Sequence, residues 1–130
     1  MARIVDITSA QDPSAIETAR IRLVRARDEA QARLVLTDQR IEGLRRERAE
    51  EPADDEHDPD GPTLSSEWTM ARAQREVVES AISEIDAALE RVAAGDYGRC
   101  TRCGRQIPAA RLEARPAASL CLDCAASVGS

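Results

Sequence analysis

The chain has 130 residues with a net charge of −6, and 32% of it is charged. It holds one Trp, one Tyr and no Phe, and alanine supplies much of its apolar fraction, so a deep globular core is excluded and long paired helices are favoured. No stretch is long and apolar enough for a signal peptide or a membrane span, which with reduced thiols predicts a cytoplasmic protein.

Residues 1–12 are short and mixed and read as an N-terminal arm. The helix signal begins next. Pro13 suits a first helical position, while Ser14 and Glu17 have capping-box spacing, so the two cues differ slightly on the boundary. From there Ile16, Ala19, Leu23, Ala26, Ala30, Leu34, Thr37, Ile41 and Leu44 recur at steps of three and four, a coiled-coil type seam. The helix is expected to run to about Glu50.

Residues 51–62, EPADDEHDPDGP, carry three prolines and a glycine and break the pattern. A second seam follows through Leu64 or Trp68, Ala71, Gln74 or Arg75, Val78, Ile82, Ile85, Leu89 and Val92, with Gly95 as its C-terminal cap. Two narrow apolar stripes of similar length, joined by a short breaker, predict an antiparallel helical hairpin over 13–94 with a tip loop at 51–62. The short linkage favours that hairpin over a dimer, so a monomer is expected. Charge concentrates at the tip: residues 47–60 hold eight acids against Arg48. An acidic turn is ordinarily a solvated loop, but a stiff stalk presenting acids about 50 Å from its base makes Asp55, Asp58 and Asp60 candidates for partner contact.

The last stretch, 95–130, contains Cys100-x₂-Cys103 and Cys121-x₂-Cys124 separated by seventeen residues. That spacing predicts a four-cysteine zinc site with Cys100, Cys103, Cys121 and Cys124 as ligands, because each short C-x₂-C turn points two sulfurs at one metal. Gly104 follows the first pair, where the chain must turn tightly. Disulfides would need an oxidising compartment, a redox dithiol would need a βαβ context, and an iron–sulfur cluster is less usual for two symmetric pairs. Four sulfurs leave no open coordination position, so one structural Zn²⁺ per chain is expected, without catalysis. No nucleophile–base pairing, phosphate loop or H-E-x-x-H motif supports an enzyme.

Five arginines and three acids in 95–130, with the −2 of a tetrathiolate zinc, leave this module neutral, so direct DNA binding is not expected. The arginines nearest the cysteines are expected to offset thiolate charge and hydrogen-bond the sulfurs. His57 lies in the tip loop and is not needed as a ligand. Trp68 is read as seam packing near the tip with partner contact as the alternative, and Tyr97 as packing between helix and zinc module.

Gly95-Asp-Tyr97-Gly98 before the first pair, Cys103-Gly104-x₂-Ile107-Pro108, and Arg111-Leu112-x-Ala114-x-Pro116 before the second resemble the C-terminal zinc finger of the DksA/TraR family. The resemblance covers about thirty residues and carries the four ligands over cleanly. It implies a bacterial protein that binds RNA polymerase, placing its hairpin in the secondary channel to modulate initiation. The family's tip reads Asp-Pro-x-Asp-x-Ala, whereas Asp58-Pro59-Asp60-Gly61-Pro62-Thr63 departs from it at the second Asp and the Ala. Sliding back to Asp55-x₂-Asp58-x-Asp60 restores both acids and misplaces the Ala. The C-terminal helix of longer relatives is expected to be absent or minimal, since six residues follow Cys124. The alternatives are a nucleic-acid-binding zinc finger and a coiled-coil adaptor without polymerase activity.

Overall fold

A computed structural model of the chain describes residues 12–50 and 63–129. These form four helices: α1 (Pro13–Glu50), α2 (Leu64–Ala94), α3 (Ala109–Ala114) and α4 (Leu122–Gly129). No strand occurs among the described residues; a single antiparallel bridge joins Arg99 and Gln106. The fold is a long helical hairpin with the four cysteines in its C-terminal region.

Each helix start has a physical cause. Asp12 is the residue that caps α1: its Oδ1 accepts the Ser14 N–H at 3.3 Å and its carbonyl accepts the Ile16 N–H at 2.9 Å. Pro13 therefore occupies the first helical position, where its missing N–H has no partner to lose. The Ser14–Glu17 cue is not used as a cap, because Glu17 turns instead to Arg20 at 2.6 Å. At α2 the cap is Thr63, whose hydroxyl accepts the Ser66 N–H at 3.0 Å.

The end of α2 was legible from Gly95. Its φ of +83° is left-handed, and two hydrogen bonds close the helix: Gly95 N–H to Val92 O at 3.3 Å and Asp96 N–H to Arg91 O at 2.8 Å. This pair of bonds is a Schellman motif, and a residue without Cβ adopts the required φ at least cost.

The described residues divide into two compact units. One comprises 29–50 and 63–82, the distal part of α1 and the proximal part of α2. Its core joins Ile41 and Leu44 to Ala71, with Leu64 and Trp68 packed against them. Arg75 Nε reaches across from α2 to Asp38 Oδ1 on α1 at 2.5 Å and its Nη1 meets Glu79 at 2.6 Å. Of the two residues the seam allowed at this turn, Arg75 is the half-buried one and Gln74 faces out. Its aliphatic stem packs while its charged head reaches water and carboxylates.

The other unit holds 12–28 and 83–129. Ala19 and Leu23 of α1 pack with Ile85 and Ala88 of α2 and with Tyr97, Ile107, Leu112 and Cys100. Leu23 and Ile107 are each 1% exposed and form its centre. Arg27 and Asp86 pair across the two helices at 2.5 Å. Every seam position expected on α1, from Ile16 to Leu44, is buried or half-buried. Ala88, fully buried at 0%, lies between the expected seam residues Ile85 and Leu89.

Candidate metal centre

The first cysteine pair sits in a tight loop that the backbone builds. Cys100 N–H donates to Arg105 O at 2.7 Å and Gly104 N–H to Cys100 O at 3.0 Å, folding the chain back on itself. Gly104 takes φ +80° in this loop, and an added Cβ would meet nothing within 4 Å, so its glycine is there for conformation and not for space. The N–H of Cys103 points at Cys100 Sγ and that of Arg105 at Cys103 Sγ, both at 3.5 Å. Two amides thus already face the sulfurs, as a thiolate requires.

The second pair is placed by a helix. Cys121 immediately precedes α4, its carbonyl accepting the Ala125 N–H at 2.9 Å, and Cys124 lies in the first turn. α4 is eight residues long and is the element that carries Cys124.

The loop leading to Cys121 is tied down at three successive carbonyls. Ala118 O accepts from Arg91 Nη2 at 3.4 Å, Ser119 O from the Thr101 N–H at 2.9 Å, and Leu120 O from Arg111 Nε at 2.9 Å. Arg99 likewise donates to Gly104 O at 3.2 Å. The side chains of Arg91, Arg99 and Arg111 therefore hydrogen-bond backbone carbonyls and not sulfurs. In place of the expected guanidinium–sulfur bonds, the backbone amides of Cys103 and Arg105 face the sulfurs. Thr101 and Arg91 as supports of this loop could not be read from spacing; they emerge only once the loop is folded.

As a result all four thiol sulfurs lie within 4.8 Å of one another. Cys103 Sγ and Cys121 Sγ are 3.8 Å apart. A tetrahedron of sulfurs around zinc with Zn–S of about 2.3 Å has edges of about 3.8 Å, so the donor set fits that ion. Cys100 and Cys121 are buried, Cys124 half-buried and Cys103 exposed. The Cys103 backbone amide, with those of Cys121 and Arg102, lowers the Cys100 thiol to about 6 against the opposing effect of burial. Burial and the neighbouring thiols push Cys124 up to about 12.

The surrounding core explains the remaining sequence pattern. Tyr97 is 4% exposed and packs in the same core as Cys100, Cys121 and Leu112. Pro108 O accepts the N–H groups of Arg111 and Leu112 at 3.0 and 3.1 Å, starting α3 and turning Leu112 inward. Trp68 is seam packing in the other unit, with the guanidinium carbons of Arg45 and Arg72 at 5.9 and 5.8 Å from its ring centre. Asp55, Asp58, Asp60 and His57 lie outside the described residues.

Comparison with known proteins agrees with this site. Residues 95–128 match the prokaryotic dksA/traR C4-type zinc finger family. The chain is 38% identical over 65 residues to the RNA polymerase-binding transcription factor DksA of Haemophilus influenzae. It is 40% identical over 58 residues to the protein of that name from Escherichia coli. These alignments cover 50% and 45% of this chain, and 45% and 38% of the relatives, so less than half the length of either relative is spanned. A solved structure of transcription factor DksA2 from Pseudomonas aeruginosa superimposes with a TM-score of 0.73 at 28% identity, covering 92% of this chain and 86% of that one. The four clustered thiols and the family match make this a structural zinc site. No helix among the described residues is long and apolar enough to cross a membrane.

Proposed function

We propose that this chain, whose residues 95–128 are a DksA/TraR C4-type zinc finger, binds bacterial RNA polymerase and modulates transcription initiation. The observation that carries the reading is the agreement of two independent matches. Relatives named as RNA polymerase-binding factors match 50% and 45% of the chain, and a transcription factor of solved structure superimposes over 92% of it. Cys100, Cys103, Cys121 and Cys124 are the zinc ligands in this reading. With four sulfurs bound the ion has no open position for water or substrate, so it holds the module together and performs no reaction.

The hairpin enters the secondary channel of the polymerase, and the acids Asp55, Asp58 and Asp60 in the α1–α2 connection act near the catalytic metal or its mobile elements. The protein works as a cytoplasmic monomer and does not rely on direct DNA contact. The neutral charge of residues 95–130 with zinc supports this, because counterion release from phosphates needs a basic surface.

Binding to purified polymerase core enzyme, beside transcription in vitro, tests the proposal. Wild type is expected to bind and to change initiation, while Asp58→Ala/Asp60→Ala binds and loses the effect. Absence of wild-type binding sinks the reading.

A further inference from the structure

The two cysteine pairs are attached to the hairpin in different ways. Cys100 lies six residues after the end of α2, and its loop is closed by backbone bonds of its own. Cys121 stands far along the chain, and its place 3.8 Å from the Cys103 sulfur depends on where residues 118–120 run. Two guanidinium groups from different helices hold that run. Arg111 of α3 donates its Nε to Leu120 O, the carbonyl next to Cys121, and Arg91 of α2 donates its Nη2 to Ala118 O. Both arginines are half-buried, where a cationic donor to a carbonyl is stronger than in water.

Arg91 has a further connection. Its own carbonyl accepts the Asp96 N–H that closes α2, while its side chain reaches a residue 27 positions along the chain. Its Nε is buried and has no hydrogen-bond partner. An N–H buried in that way is unfavourable, so what the guanidinium contributes to the fold comes through Nη2 and Ala118 O. The closing turn of α2 and the backbone that carries Cys121 thus meet in one residue.

We infer that Arg91 and Arg111 are positioning residues for the zinc site. They hold the backbone of Cys121 in reach of the first pair, and Arg91 does so from the hairpin, so zinc occupancy and the end of α2 stabilise each other. The coupling is reciprocal: what the bound ion gives to the helix end, the helix end gives to retention of the ion. The inference concerns the zinc site alone and does not depend on the polymerase reading.

The test follows zinc transfer from the loaded full chain to an excess of a chromophoric chelator, below the melting temperature. Arg91→Met and Arg111→Met should each release zinc about tenfold faster or more, the size usual for an outer support of a metal ligand. Lysine separates the two positions, because it puts a methylene where arginine has Nε and keeps a cation beyond it. Arg91→Lys loses only the unpaired Nε and should hold zinc nearly as wild type does. Arg111→Lys loses the donating atom and should release zinc as fast as Arg111→Met. Arg27→Met breaks an interhelical pair in the same unit without touching the loop, and should leave the rate unchanged. Zinc should slow amide exchange at Gly95 and Asp96 in wild type, and much less in Arg91→Met.

Wild-type release rates in both methionine variants overturn the inference. Equally fast release from Arg27→Met also overturns it, by assigning the effect to the stability of the helix pair at large. The same response to lysine at both positions overturns the atoms named. Circular dichroism of the loaded variants is compared first. If a methionine variant has lost helix content, the two lysine variants and the exchange of Gly95 and Asp96 decide the outcome.

Discussion

Tyr97 donates its hydroxyl to the carbonyl of Pro116 at 2.8 Å, so the residue that follows α2 is fastened to the loop that precedes the second cysteine pair. The bond joins the Gly-x-Tyr-Gly and Arg-Leu-x-Ala-x-Pro parts of the sequence across the core that contains Cys100 and Cys121. Tyr97→Phe keeps the ring and loses one hydrogen bond, which should cost about 1 kcal/mol. Tyr97→Ala leaves a cavity beside Leu112 and should cost about 3–5 kcal/mol. Denaturant unfolding of the zinc-loaded chain measures both. Burial holds the phenol above its ordinary pKa of 10.0, against the weaker opposing pull of Arg91 and Arg22. The neutral form is thus the one the fold favours. Its contribution is complete below the ordinary value and is lost as pH rises through the raised one. Wild type should lose stability in that alkaline window, and Tyr97→Phe should lack that component.

Two glycines with equal space should respond to alanine in opposite directions. Neither Gly43 nor Gly95 has any atom within 4 Å of an added Cβ. Gly43 lies inside α1 with ordinary helical backbone, so Gly43→Ala should stabilise by about 0.5–1 kcal/mol. Gly95 has φ +83°, and Gly95→Ala should destabilise by about 1–2 kcal/mol. Thermal melts of the two variants decide the matter, and a shared sign would refute the conformational explanation.

The interhelical pair Arg27–Asp86 should behave as a screened surface interaction. Its carboxylate, first through hydrogen bonding and then through charge, raises the Arg27 pKa, but both side chains remain well exposed to solvent. Asp86→Ala should lower the melting temperature slightly at low ionic strength and hardly at all in high salt. Exchanging the two, Arg27→Asp with Asp86→Arg, should recover most of the loss.

Zinc removal should affect helices as well as loops. Cys100 and Cys121 are part of the same core as Leu23 of α1 and Ile85 of α2. Mass spectrometry under native conditions should find one zinc per chain, and Cys100→Ser or Cys121→Ser should lose it. Stripping the ion with a chelator should unfold α3 and α4 and loosen the adjoining helix ends. A loss of helical circular dichroism larger than these two short helices can supply is the expected signature.

The hairpin and the metal site were legible in the sequence for different reasons. Helical periodicity exposes a seam wherever the buried residues are larger than their neighbours, as at Leu23, Ile41, Leu44 and Ile85. Ala88 passed unnoticed because the stripe was read one residue wide, stepping from Ile85 to Leu89, where the buried face is wider. The cysteines were readable because four thiols at that spacing have few other uses. Their supports were not, because Arg91, Thr101 and Arg111 act through carbonyls whose position depends on the finished loop. The cap at Asp12 shows the same limit: two side-chain cues competed for one helix start, and only the geometry of the Ser14 amide decides between them.

Alanine's share of the buried seam has a calorimetric consequence. Ala88 in one unit, and Ala30 and Ala71 in the other, are among the most deeply buried residues, and each removes little apolar area from water. The heat-capacity change of unfolding follows that area, so it should fall below the value usual for a chain of this length. The stability curve of the helix pair is correspondingly shallow. Its resistance to unfolding should vary little between cold and moderate warmth.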